Sequence, residues 1–275
     1  MGYPGEGPPA GARPAVVPLV SLNVTAWSTW KGVFGEEANN AQIWMLQEHK
    51  IRTGAGIRAA KKEMRAAGWT PVFARAATTA AGSASGGTAL LVRDHWDITE
   101  VRRIRGPAAH RAVGAVVRLG GLAACVWSIY GDCDDATTTE QLLRDVLEAT
   151  PTGLEVLVGG DFNLRPQQVQ AFLHNRTDLQ VWASGQPTCT GSAGTQSELD
   201  FFVMTKSLQH CAAGAAWTLP SAVPTHCGVG LSVQLRDAVQ LIEWIRPKVP
   251  GTTRVHGPML EVQPGTSDEL AKPGE

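Results

Sequence analysis

The sequence has few of the features that would assign it quickly. It holds five cysteines, Cys125, Cys133, Cys189, Cys211 and Cys227, an odd number with no Cys-x-x-Cys pair. Neither a disulfide framework nor a zinc site is suggested, and a reducing compartment is expected. There is no basic excess: Lys and Arg total 24 against 25 Asp and Glu, net −1, with pI ≈ 6.7. Proteins that hold nucleic acid by bulk charge usually have a domain pI above about 9, so any nucleic-acid contact here must be local. No apolar run approaches the roughly 18 residues of a membrane span. The Gly/Pro-rich start has no apolar signal core, and position 6 is Glu6, not the Ser or Thr of a myristoylation signal. No membrane partner is expected, and the expected location is intracellular, in nucleus or cytoplasm, not secreted. No internal repeat is visible.

What remains is a chain of 275 residues, 43% hydrophobic, enough for one large core. Residues 1–17 offer little to bury and are expected to be disordered. Residues 18–236 are expected to form one domain and 237–275 a tail or linker, in which a short helical stretch beyond Arg236 gives way to Pro247–Glu275, polar and proline-rich. Short apolar runs read as strands at Leu19–Val24, Ala41–Leu46, Thr70–Ala74, Thr88–Val92, Ile98–Ile104, Val113–Leu119, Leu122–Tyr130, Leu199–Met204 and Val229–Leu235. Helical spacing marks Ile57–Ala67, Thr137–Ala149 and Pro166–His174. Many strands, few helices and no strict strand–helix alternation predict an α/β sandwich of two sheets with helices outside.

The most informative stretch is Val156–Asn163, Val-Leu-Val-Gly-Gly-Asp-Phe-Asn. A buried strand breaks at two glycines and ends in an acid and an amide. Strand periodicity sends Asp161 and Asn163 one way and Phe162 back into the core. An Asx turn would explain such a sequence alone. Yet Asn23, Glu48, Tyr130 and Asp200 also stand at or just past the ends of apolar runs, and His226 shortly precedes the last one. Polar groups gathered at one edge of a rigid sandwich would make a cleft floor.

In this order the segments resemble the endonuclease/exonuclease/phosphatase superfamily. Gly160-Asp161-Phe162-Asn163 is identical to its most diagnostic motif. Ser21-Leu22-Asn23-Val24, Leu46-Gln47-Glu48, Gly86-Gly87-Thr88-Ala89, Tyr130-Gly131-Asp132, Ser197-Glu198-Leu199-Asp200-Phe201 and Thr225-His226-Cys227-Gly228-Val229 resemble others, covering about Leu19 to Leu235. The resemblance implies a four-layer α/β sandwich of two mainly antiparallel, deoxyribonuclease I-like sheets. It also implies a phosphodiester hydrolase using Mg²⁺, with Mn²⁺ an alternative, and DNA as partner. Its implied roles are Glu48 as metal ligand, Asp161 at the attacking water, Asn163 and Asn23 holding phosphate or the carboxylates, and His226 at the scissile phosphate. Asp200 would orient His226, and Tyr130 would donate to a phosphate or leaving oxygen.

Two places depart from the family. Thr25 and Thr225 stand where it usually has acids near the metal, so weakened metal binding is expected. Trp27 and Trp30 are candidates to stack on bases or a sugar, and Arg102, Arg103, Arg105 and Arg111 to contact phosphates. The exit through Leu241–Pro250 resembles that of non-LTR retrotransposon endonuclease domains, with a reverse transcriptase domain in a longer parent polyprotein as expected partner. A monomer is expected. The rival readings are a phosphatase of a small phosphorylated molecule and an impaired domain serving as a binding module.

Overall fold

A computed structural model describes residues 16–33, 40–191, 193–219, 223 and 225–235. The expected tail at 237–275, and the short helical stretch beyond Arg236, lie outside these residues. Two six-stranded sheets pack face to face. The first contains β1 (Val16–Asn23), β2 (Ile43–Gln47), β3 (Trp69–Ala74) and, beyond the two-residue pair β4 (Ala77–Thr78) and β5 (Ala84–Ser85), β6 (Thr88–Arg93). The second contains β7 (Asp97–Arg102), β8 (Ala112–Leu119), β9 (Leu122–Tyr130), β10 (Glu155–Asp161), β11 (Leu179–Trp182) and, beyond the small pair β12 (Cys189–Thr190) and β13 (Gln196–Ser197), β14 (Asp200–Thr205). β15 (Trp217–Leu219) and β16 (Gly228–Gln234) return to the first. The orders are β15-β16-β1-β2-β6-β3 and β11-β14-β10-β9-β8-β7.

Each sheet is antiparallel except for one central parallel pair, β1/β2 in the first and β9/β10 in the second. A parallel pair brings two strand C-termini side by side. Asn23 thereby sits opposite Gln47, next to Glu48, and Asp161 opposite Tyr130. The two pairs end at a common edge, where Asn23 touches Asp161.

Helices cover the outer faces. α1 (Trp27–Val33) and α2 (Gly54–Ala66) pack on the first sheet through Trp30, Ala60 and Met64. α3 (Ala136–Glu148) and α4 (Pro166–Phe172) pack on the second through Leu142, Leu143, Val146 and Val169. α5 (Lys206–Gln209) is a single turn. The four-layer sandwich expected from the sequence is what the chain forms. Differences are local. β1 begins at Val16, two residues inside the segment expected to be disordered. α1, β11 and β15 are too short for periodicity to reveal. α3 is capped by Asp135, whose carboxylate accepts from Thr137 N, and Thr139 Oγ1 accepts from Asp132 N at 2.7 Å.

The paired glycines before Asp161 answer two close approaches. A Cβ on Gly159 would lie 2.6 Å from Met45 Sδ on the facing sheet, and one on Gly160 would lie 2.2 Å from Ile129 O on β9. Strand β10 fits its slot only without side chains there.

Candidate active site

The resemblance's seven site residues are brought to one edge of the sandwich. Asp161, 1% exposed, is the hub. Its Oδ2 accepts from Asn23 Nδ2 at 2.9 Å, and its Oδ1 from Asn163 N at 3.0 Å. Asn23 Nδ2 also reaches Glu48 Oε2 at 3.4 Å, so one amide ties the two acids together. Asn23 Oδ1 is occupied by Thr25 N at 3.0 Å, which fixes the ring of contacts in one orientation. Phe162 turns inward as its strand parity requires and stacks on Phe201, centroids 4.1 Å apart.

Asp161 and Asp200 are direct cross-strand partners on β10 and β14. Two buried carboxylates side by side repel. Burial first, and then the Asp200 charge, push the Asp161 carboxyl up to about 7, with His226, Asn23 and Asn163 N opposing. Thr188 Oγ1 accepts from both Leu199 N and Asp200 N at 3.0 Å, and pins the start of β14.

His226 lies between the two acids. Its Nδ1 is 3.2 Å from Asp200 Oδ2, and its Nε2 is 3.8 Å from Asp161 Oδ2. Burial works against an imidazolium here. The Asp200 hydrogen bond and charge, followed by the Asp161 and Glu48 charges, outweigh it and carry His226 to about 9. Near pH 7 the ring is therefore charged. Tyr130 caps β9, and its phenol is driven well above its ordinary value by burial, then by the Glu48 and Asp161 charges. It remains a protonated donor. Asn163 Nδ2 donates to Gly131 O at 3.1 Å and so braces the loop after Tyr130. The same loop is held by Arg111, whose guanidinium donates to Gly131 O and Asp132 Oδ2, both at 2.7 Å.

Backbone strain concentrates here. Among the described residues the non-glycines with positive φ are Thr25 (55°), Glu48 (57°), Lys50 (55°), Asn163 (50°) and Thr225 (75°). All five belong to, or flank, the segments that carry the site. The left-handed region costs a β-branched residue most, so Thr25 and Thr225 are held there by their surroundings.

Beneath the site the two sheets share a buried polar contact. Gln47 Nε2 donates to Ser21 Oγ at 3.2 Å and to Ser128 Oγ at 3.0 Å across the interface. His49, also buried, accepts from Ile51 N through Nδ1 and lies 3.0 Å from Ala74 O through Nε2, a pattern that fits the neutral ring. Burial lowers it to about 4.

Two sequence expectations fail. Trp30 is fully buried against Trp44 and cannot stack on a base; Trp27 is half-buried and packs edge-on against Phe73. The arginines do not form one phosphate-binding cluster. Arg102 pairs with Glu100, Arg103 donates to Phe73 O, and Arg111 serves the Tyr130 loop. Thr188, Ser128 and Cys189, whose Sγ is 3.7 Å from His226 Nε2, gave no such signal in the sequence. Only Gln47 had a hint, from its place beside Glu48.

The sequence model of the Endonuclease/Exonuclease/phosphatase family matches residues 22–225. The chain belongs to this family. It is thereby placed among hydrolytic nucleases and phosphatases. No curated protein matches the sequence. Solved structures match the fold at low identity. The 3'-5' exonuclease NExo from Neisseria meningitidis aligns with TM-score 0.58 and 14% identity over 79% of this chain and 100% of its own. The endonuclease domain of TRAS1, a telomere-specific non-LTR retrotransposon, gives 0.56 and 17% over 80% and 99%. D. rerio TDP2 complexed with a single-strand DNA product gives 0.55 and 14% over 80% and 99%. No described helix is long and apolar enough to cross a membrane.

A divalent metal suits the donor set at the Glu48 wall. Glu48 supplies a hard carboxylate whose side chain is 18% exposed, open to water or phosphate. Neither Thr25 nor Thr225 adds a carboxylate to it.

Proposed function

We propose that this protein is a divalent-metal phosphodiesterase that cuts DNA, with Mg²⁺ or Mn²⁺ held at Glu48. The observation that carries this reading is the position of His226, 3.2 Å from Asp200 and 3.8 Å from Asp161. It puts a cation and an acid with opposite proton demands in one cleft, with Asn23 linking that acid to Glu48. Hydrolysing a phosphodiester requires charge neutralised at the phosphoryl oxygens, an oriented water and a stabilised leaving oxygen.

Asp161, raised toward neutrality, has the basicity to take a proton from a water near pH 7. Both its oxygens are already held, which fixes its direction. The His226 imidazolium offers Nε2–H to a phosphoryl oxygen, while Asp200 fixes the ring through Nδ1. The protonated Tyr130 hydroxyl is a second donor. When bound, the metal supplies Lewis-acid stabilisation of phosphoryl charge beside Glu48. Asn163 acts through the Tyr130 loop, because its amide is engaged with Gly131 O. The DNA assignment draws support from the family and from the exonuclease, retrotransposon and TDP2 folds. Descent from a retroelement, with a reverse transcriptase partner, belongs to the same proposal.

Supercoiled plasmid, an abasic duplex and inositol phosphates, each with Mg²⁺ or EDTA, test the reading. The expected result is nicking with Mg²⁺ that EDTA and His226→Ala each abolish. Turnover of inositol phosphates alone would make the protein a phosphatase. Inactivity on every substrate with Mg²⁺ and with Mn²⁺ would leave a binding module.

A further inference from the structure

The chain is nearly neutral, net −1, but its charge is sorted between the two helix layers. Residues 50–75 hold seven Lys and Arg against one acid, Glu63, which pairs with Lys31 at 2.9 Å. Residues 132–148 hold six acids against one cation, Arg144, which lies over the Phe172 ring. The first stretch includes α2, outside the first sheet, and the second includes α3, outside the second. Both start at the catalytic edge. Lys50 Nζ stands 3.8 Å from Glu48 Oε1, and Asp132 closely follows Tyr130, the last residue of β9.

The basic side runs outward from that edge as a row. On α2, Arg58, Lys61, Lys62 and Arg65 recur at i, i+3, i+4 and i+7, a single stripe turned away from the buried Ala60 and Met64. It extends on the order of 10 Å along the helix axis. Arg75, just past the end of β3, meets its start. A Cβ on Gly54 would lie 3.4 Å from Arg58 Nη1 and 3.7 Å from Arg75 Nη2. Two guanidinium groups thus meet at the first turn of α2, the positive end of a helix dipole. Arg52, just before the Thr53 cap, donates to Gly82 O and stays exposed. None of these six cations pairs with a carboxylate among the described residues. Like charges at i and i+4 repel. Burial first, then the Arg103 and Arg65 charges, hold the Lys61 ammonium below the ordinary lysine value. The fold leaves this charge uncompensated, and an external polyanion would compensate it.

We infer that this row, from Arg52 and Arg75 at the cleft mouth to Arg65 on α2, binds the phosphate backbone of the nucleic acid whose scissile bond lies at Glu48. Resting on the hydrolase assignment above, this grip gives the polynucleotide one side of the cleft only. The strand is held across the first-sheet helix layer. The second-sheet side repels it, because Asp134 and Asp135 stand exposed in the loop after Tyr130. A face that served solubility alone would intersperse the two signs. Neutral net charge and nucleic-acid binding are compatible here because the contact is local.

The test is DNA binding by the full chain in EDTA, so that binding is read apart from hydrolysis. Fluorescence anisotropy with a labelled single strand and a labelled duplex follows the affinity from about 50 to 200 mM KCl. Arg58→Gln/Lys62→Gln/Arg65→Gln, which keeps good helix formers in α2, should reduce the slope of log affinity against log salt by about 2–3, at roughly 0.7–0.9 per phosphate contact. Its Kd at about 100 mM salt should rise about tenfold or more. Arg52→Gln/Arg75→Gln, outside the helix, should reduce the slope by about 1.4–1.8. The charge-matched control Arg144→Gln/Arg176→Gln/Lys206→Gln, on second-sheet elements, should change neither slope nor Kd. An unchanged slope in either test variant, an equal loss in the control, or no binding by wild type at about 50 mM salt would each overturn the inference. Plasmid nicking by the same proteins with Mg²⁺ separates the two assignments. Nicking with an unchanged slope rejects this surface alone, and slope loss without nicking rejects the hydrolase alone.

Discussion

Replacing Asp200 with Asn removes one charge at almost constant shape and isolates what holds His226 protonated. Relative to its ordinary value of 6.5, the His226 pKa of about 9 represents roughly 3 kcal/mol favouring the imidazolium. Burial, the largest single influence, opposes that charge, and the two strongest favourable influences both come from Asp200. Without them the ring should titrate at or below about 6.5. At pH 8 the charged fraction then falls from about nine-tenths to about one-thirtieth, so nicking by Asp200→Asn should drop at least about 30-fold there and recover largely by pH 6. The alkaline limb of the rate profile should move from near pH 9 to near pH 6.5. Stability provides a second readout. A raised histidine contributes fully below pH 6.5 and loses its contribution as pH rises through 9, so wild type should soften across that window and Asp200→Asn should not. Rate profiles from pH 5.5 to 9.5, with urea midpoints at the same pH values, give both. Coincident alkaline limbs in the two proteins would refute the role assigned to Asp200.

Three other outcomes follow from neighbouring groups. Asp161→Asn should abolish nicking yet raise stability at pH 8 by up to about 4 kcal/mol, since a carboxyl raised from 3.8 to about 7 costs stability once ionised; the gain should vanish below pH 4, and equal urea midpoints at pH 8 would count against it. His49, lowered to about 4, supports the fold above pH 6.5 and withdraws about 3 kcal/mol as pH falls through 4; His49→Gln should flatten the urea midpoint between pH 6.5 and 4.5, and an unchanged slope would exclude it as the acid-sensitive group. Thr225→Asp puts a carboxylate at an exposed position beside His226, where φ is 75°. Asp tolerates that region better than Thr, so stability should hold while the Mg²⁺ midpoint for nicking falls on the order of tenfold; an unmoved midpoint would remove position 225 from the metal's surroundings.

How legible the site was in the sequence depended on what each residue had to do. Asp161, Asn163, Asn23, Glu48 and Tyr130 were readable because they stand at or beside the ends of apolar strands; strand parity sets the direction of Asn23, Tyr130 and Asp161, while Glu48 and Asn163 leave their strands at positive φ. Asp200 and His226 needed the order of motifs as well, because neither segment looks unusual alone. Thr188 and Cys189 were invisible. They lie in Gly185-Gln186-Pro187-Thr188-Cys189-Thr190, a stretch with no periodicity, and matter only because β12 folds back against residue 226. Trp30 misled for the converse reason: an aromatic just after a catalytic-looking motif reads as a cleft residue, yet the short α1 turns it into the core. Arginines near a turn suggested a phosphate patch, and three of the four proved to be committed to protein partners.

The positions that depart from the family are also the strained ones, and this bears on what the departures mean. Thr25 and Thr225 occupy left-handed backbone that suits Asp or Asn and penalises a β-branched side chain. Had the chain merely lost its acids to drift, the backbone there would be free to relax toward negative φ. Instead Thr25 N remains bonded to Asn23 Oδ1 at 3.0 Å, and Thr225 O still accepts from Thr190 N at 2.8 Å. The first bond aims the Asn23 amide at Asp161 and Glu48, and the second holds the segment that presents His226. What these two positions retain is therefore the backbone path that places Asn23 and His226, and what they lack is a carboxylate that would face a cation at Glu48. Under the proposed function, the geometry for handling a phosphate is kept while affinity for a hard metal is lowered, so cleavage would depend on the free Mg²⁺ concentration more than on the integrity of the fold.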